Sequence, residues 1–79
     1  MNKRLASLIL YVIREYMKLA RHGIGRVRLM KILFLIDYLA FKYWGEKITG
    51  TKWIRWLFGP FSKEVLDVLD ELFNKAILS

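Results

Sequence analysis

The sequence predicts a mostly α-helical fold: three helices, with one short β-strand or hairpin between the second and the third. Three observations lead to it. Apolar residues recur with the helical period over about residues 3–22, over about 26–44 and again after Ser62. Gly23, Gly25, Gly45, Gly50 and Gly59-Pro60 punctuate the chain at the ends of those segments. Between Ile48 and Phe58 the period changes, and β-branched and aromatic residues alternate. Residues 1–79 are expected to form one small domain, and a winged-helix-like arrangement is one form it can take.

The first helix is expected from about Lys3 to His22. At 100° per residue, Arg4, Ser7, Tyr11, Arg14, Glu15, Lys18, Arg21 and His22 share a sector of about 120°. Leu5, Leu8, Ile9, Val12, Ile13, Tyr16, Leu19 and Ala20 take the opposite side, and Gly23 is the expected left-handed cap. The second helix, about Arg26 to Trp44, is apolar almost all round and reads as the central buried helix. Arg28, Lys31 and Lys42 lie on its solvent side. Asp37 falls among Met30, Leu33, Ala40, Phe41 and Trp44, where a carboxylate needs hydrogen-bond partners because an unpaired buried charge is costly.

In the β-like segment, alternation places Trp53, Arg55 and Leu57 on one side and Ile54, Trp56 and Phe58 on the other. A lone hairpin is barely stable, so it must lean on the helices. Helix 3 opens after Gly59-Pro60 with Ser62 as N-cap, Phe61 and Leu66 as a hydrophobic staple, and Glu64 and Asp67 near the positive end of the dipole. Val65, Leu66, Val68, Leu69, Leu72, Phe73, Ala76 and Ile77 form its expected buried stripe, opposite Glu64, Asp67, Asp70 and Glu71.

Composition narrows the function classes. With 56% hydrophobic residues and three tryptophans, the chain holds more apolar material than so small a core needs. The surplus points to a protein partner, a homo-oligomer or a neighbouring domain. The absence of cysteine excludes disulfides and thiolate zinc sites. Cytoplasm is the default location, and the lack of Gln beside abundant Ile, Leu, Lys and Arg hints at a thermophilic source. A membrane role is not expected. The apolar run Leu5 to Ile13 lacks a cleavage site and meets Arg14 and Glu15, and Ile32 to Trp44 is short of the roughly 20 residues a span needs and contains Asp37 and Lys42.

Catalysis finds no support in the residues. The one histidine, His22, sits at a helix end, where it is a dipole partner rather than a base, and no nucleophile and orienting carboxylate accompany it. No catalytic residues, cofactor or metal ligands are assigned, and the glycine spacing matches no phosphate loop. The charge is uneven: residues 1–31 hold eight of the fourteen basic residues and one acid, whereas residues 61–79 hold four acids and two bases. Arg4, Arg14, Lys18, Arg21, Arg26 and Arg28 are therefore candidates for nucleic-acid binding. Trp53, Arg55, Trp56 and Phe58 are candidates for binding a partner.

Several of these residues also carry a resemblance. Arg28-Leu29-Met30-Lys31-Ile32-Leu33-Phe34-Leu35-Ile36-Asp37, then Ile48-Thr49-Gly50, then Phe58-Gly59-Pro60-Phe61 with Lys63-Glu64, agree in order, spacing and type with the Panacea-domain family over about residues 26–72. That family is found with toxin–antitoxin loci and mobile elements. Members usually have an acid after the Thr-Gly pair and Tyr before Gly-Pro; this chain has Thr51 and Phe58 there. The resemblance implies a helical domain with a small β element that binds protein, which in the family often means neutralising a toxin encoded alongside. Asp37, Gly50, Gly59, Pro60 and Ser62 would be structural, with Asp37 accepting backbone N–H bonds from Gly50–Trp53. The expected function is an antitoxin-like interaction module or mobile-element regulator that binds a protein partner or itself. The alternative is a small basic DNA-binding transcriptional regulator using helix 1 and the start of helix 2.

Overall fold

The computed structural model describes residues 1–78, with side chains through Lys75. It has three helices, α1 (Lys3–Ala20), α2 (Arg26–Trp44) and α3 (Lys63–Leu78). An antiparallel hairpin of β1 (Ile54–Trp56) and β2 (Gly59–Phe61) lies between α2 and α3, as the change of period predicts.

Each helix begins and ends for a local reason. Asn2 accepts a hydrogen bond from the Leu5 N–H at 3.1 Å and caps α1. α1 then stops at Ala20, with Arg21 at φ 59° as its left-handed cap. This corrects the expected Gly23 cap. Two residues beyond Ala20, the His22 ring packs edge-on to Tyr16 with centroids 5.5 Å apart, a contact that favours leaving the helix early. α2 ends where expected, on Gly45 at φ 77°. Ser62 caps α3: its hydroxyl accepts from the Val65 N–H at 3.2 Å.

The core forms where α1, α2 and α3 meet. Leu5, Ile9, Val12, Leu29, Leu33, Val65 and Val68 are buried there, with Phe61 and Leu66 packed at its margin as the staple predicts. α1 packs on both other helices, and β2 packs on α2. Two expectations fail at this level. α2 is not buried all round: Leu29, Met30, Leu33, Asp37 and Ala40 form one covered stripe, whereas Leu35, Tyr38, Phe41 and Trp44 are exposed, Trp44 to 77%. The chain has one helix and one hairpin to set against α2, too little to cover four sides. Leu19, at the margin of the apolar sector in the last turn of α1, is 88% exposed, and Phe73 on α3 is also exposed. The expectation for Ala76 and Ile77 lies outside the described side chains.

Ser62 does two tasks, since its hydroxyl also lies 2.6 Å from that of Thr51. Ser62→Ala removes the cap and strands the Thr51 hydroxyl in a buried site. A loss of about 2 kcal/mol in urea unfolding is expected, at the upper end for a cap alone.

Candidate functional site

A buried hydrogen-bond network sets the hairpin in place. Asp37 faces inward from α2 and is 1% exposed. Its carboxylate accepts from the Thr49 backbone N–H at 2.8 Å, from the Thr49 hydroxyl, and from the Trp53 indole N–H at 2.8 Å. This corrects the expected donors, which were backbone groups of Gly50–Trp53. Thr49 and the indole occupy both oxygens, and the Thr51 N–H goes instead to the Thr49 hydroxyl oxygen at 3.2 Å. Gly50, at φ 66°, makes the turn between them. Through Thr51 and Ser62 the chain of bonds reaches the start of α3. Among the described residues, no buried side-chain nitrogen or oxygen lacks a partner.

Trp53 is thereby committed on two sides. Its ring nitrogen is held by Asp37, and its ring lies nearly at right angles to that of Phe34 with centroids 5.7 Å apart. β1 begins at the next residue, so the direction of the hairpin is inherited from this anchor. The pairing is Ile54 with Phe61, Arg55 with Pro60 and Trp56 with Gly59. Gly59 has φ 120° and lies beside the stem of Lys31, where a Cβ would come within 3.0 Å of the Lys31 Cε. The torsion favours glycine there, whereas the exposed Lys31 stem can move aside for a Cβ.

The far end of the hairpin is apolar and open to solvent. Leu57 is 89% exposed, Phe58 63% and Trp56 54%. Trp56 stacks at a tilt against Phe61, centroids 5.1 Å apart, and meets Phe58 edge-on. A cleft flanks each face. One, of about 540 Å³, is lined by Phe34, Trp53, Arg55, Leu57 and Pro60 among others. The other, of about 340 Å³, lies among Val27, Met30, Trp56, Phe58, Phe61 and Leu66, with Arg26 at its side. The four partner-binding candidates therefore gather on one hairpin, with Trp53 as its anchor and Arg55, Trp56 and Phe58 exposed. Sequence reasoning passed over Thr49 as a ligand of Asp37 and Leu57 as the tip. The Gly59-Pro60 pair was the available signal for a turn at residues 57–58.

The basic candidates do not form one cluster. Arg4, Arg14 and Lys18 are exposed along one side of α1, where Lys18 pairs with Glu15 at 3.4 Å. Arg21 caps that helix. Arg26 reaches Asp70 on α3 at 3.4 Å, an exposed pair worth at most about 1 kcal/mol. Arg28 donates to the Tyr16 hydroxyl and lies over the Tyr16 ring, 5.7 Å from its centroid.

A family profile described as "Antitoxin SocA-like, Panacea domain" matches residues 29–78. The chain belongs to this Panacea family. Membership supports an antitoxin-type, non-enzymatic role and implies a protein partner in general. The Panacea match takes in Asp37, Thr49, the whole hairpin and α3, whereas all six basic candidates precede its first residue. No curated protein and no solved structure matches the chain. Among the described residues, no helix of this Panacea chain is long and apolar enough to cross a membrane.

Proposed function

We propose that this chain is an antitoxin-type interaction module that binds a protein partner through its hairpin. The observation that carries the reading is the solvent-facing apolar tip, Trp56, Leu57 and Phe58, held on a strand that a buried carboxylate anchors. Exposed aromatics cost solubility unless something covers them, and preorganised ones bind at little entropic cost. The partner is a toxin encoded beside the chain or a second copy of it. Light scattering of the chain, alone and with the product of the adjacent gene, separates these at about 50 and 300 mM salt. An apolar interface gives a complex or dimer that is the same at both. A monomer that ignores the adjacent product at both rules the reading out.

A second reading, DNA binding through α1, draws on the exposure of Arg4, Arg14 and Lys18 along one side of that helix. Under it, the double variant Arg14→Glu, Lys18→Glu abolishes binding to a short duplex, and wild-type affinity falls steeply between the two salts. Equal affinity of variant and wild type discards it.

A further inference from the structure

The register of the hairpin decides which backbone groups of β1 are used. Residues opposite one another in an antiparallel pair alternate between exchanging both N–H···O bonds and exchanging none. Pro60 has no N–H, so Arg55 and Pro60 form a pair that exchanges none. The bonds come from Ile54 with Phe61 and from Trp56 with Gly59, and the N–H and C=O of Arg55 point out from the free edge of β1. Neither takes part in any backbone or side-chain hydrogen bond among the described residues. The opposite edge, that of β2, packs toward α2.

We infer that the free edge of β1 receives an extended segment of a protein partner, which adds a third strand through Arg55 and places an acidic side chain opposite it. The inference rests on the partner-binding reading above and says how the partner is held. Main-chain bonds give such additions their affinity, and flanking side chains their selectivity. On the Arg55 face, Trp53, Phe34 and Leu57 border the 540 Å³ cleft and supply apolar surface on either side of the guanidinium. The guanidinium itself makes no hydrogen bond or ion pair among the described residues.

The same charge selects against a second copy. Arg55 is the one residue of β1 whose backbone groups face outward, so a two-fold antiparallel β1–β1 pairing must centre on it. That sets Arg55 directly opposite the Arg55 of the other copy, and like charges in that relation destabilise a sheet. An edge strand this short, with a cation at its middle, resists self-association and remains open to a complementary acidic strand.

The test uses ¹⁵N-labelled chain and a blocked eight-residue peptide of alternating threonine and valine with a glutamate at its centre. A second peptide has lysine there. With the glutamate peptide at millimolar concentration, the Arg55 amide resonance shifts and its hydrogen exchange slows. The lysine peptide binds roughly tenfold more weakly, and Arg55→Pro, which an edge position tolerates, abolishes the peptide-induced shifts of the neighbouring Ile54 and Trp56 amides. Should that variant misfold, Arg55→Glu keeps the backbone donor and reverses the preference toward the lysine peptide. An unmoved Arg55 amide, or equal binding of both peptides, overturns the inference. A complex with the adjacent gene product that forms equally well with Arg55→Glu removes the edge and leaves the partner-binding reading intact. If no complex forms at all, that reading falls first.

Discussion

Asp37→Ala is expected to lower the melting temperature by at least about 10 °C, followed by the helical circular-dichroism signal. The carboxylate is buried and accepts three hydrogen bonds, from the Thr49 N–H, the Thr49 hydroxyl and the Trp53 indole. Bonds to a charged acceptor are worth about 1.5–3 kcal/mol each, and the donors left behind would be desolvated without partners. Even partial rescue by water leaves a loss of about 2–3 kcal/mol, and each kcal/mol moves a domain of this size by roughly 4–8 °C. Asp37→Asn should lose somewhat less, because its amide oxygen still accepts, although its nitrogen faces groups that are themselves donors. The hairpin should loosen before the helices do, seen as early solvent exposure of Trp53 fluorescence. An Asp37→Asn chain that melts at the wild-type temperature would mean that the carboxylate is not what holds the segment.

Leu57→Asp is expected to do the reverse: leave the fold intact and weaken the partner complex by roughly 30-fold or more, the size of an interface hot spot. Leu57 is the most solvent-exposed of the large apolar side chains at the tip, so its loss removes almost nothing from the core. Surface substitutions of this kind usually stay within about 0.5 kcal/mol of wild-type stability. In a complex the added carboxylate would be buried unpaired against apolar surface, which is costly. Titration calorimetry with the adjacent gene product, beside a melting curve of the free variant, reads both quantities. Wild-type affinity for the variant would remove the tip from the interface. A parallel fall in melting temperature would make Leu57 a folding residue instead.

The contrast between these two positions shows what could be read in advance. Asp37 was legible as a buried acid needing donors because it interrupts an apolar helix face, and local pattern suffices for that. Its donors were not legible, since which atoms of residues 46–53 reach it depends on the turn at Gly50. The bounds of α2 and the cap of α3 follow from Gly45 and Ser62, whose chemistry acts within one helical turn. The end of α1 does not, because Arg21 takes the left-handed cap two residues before the glycine signal, with the His22 ring set against Tyr16. Alternation put the partner candidates Trp53 and Trp56 on opposite sides but did not say which of them is covered. One became an anchor and the other part of an exposed tip because the strand between them leaves the core.

The sequence by itself determined three helices, a short strand or hairpin within residues 46–60, the caps at Gly45 and Ser62, and the Panacea motif residues. These depend on period, torsion and short-range bonding, which neighbours in the chain settle among themselves. Only the tertiary structure decided which apolar residues remain uncovered, where Asp37 finds its donors, and that Arg55 lies on a free edge. Those outcomes depend on how a chain of 79 residues distributes a limited core among surfaces that all ask for cover. α2 offers apolar side chains all round, and packing against α1 on one side and β2 on another leaves the remainder to the solvent or to a partner.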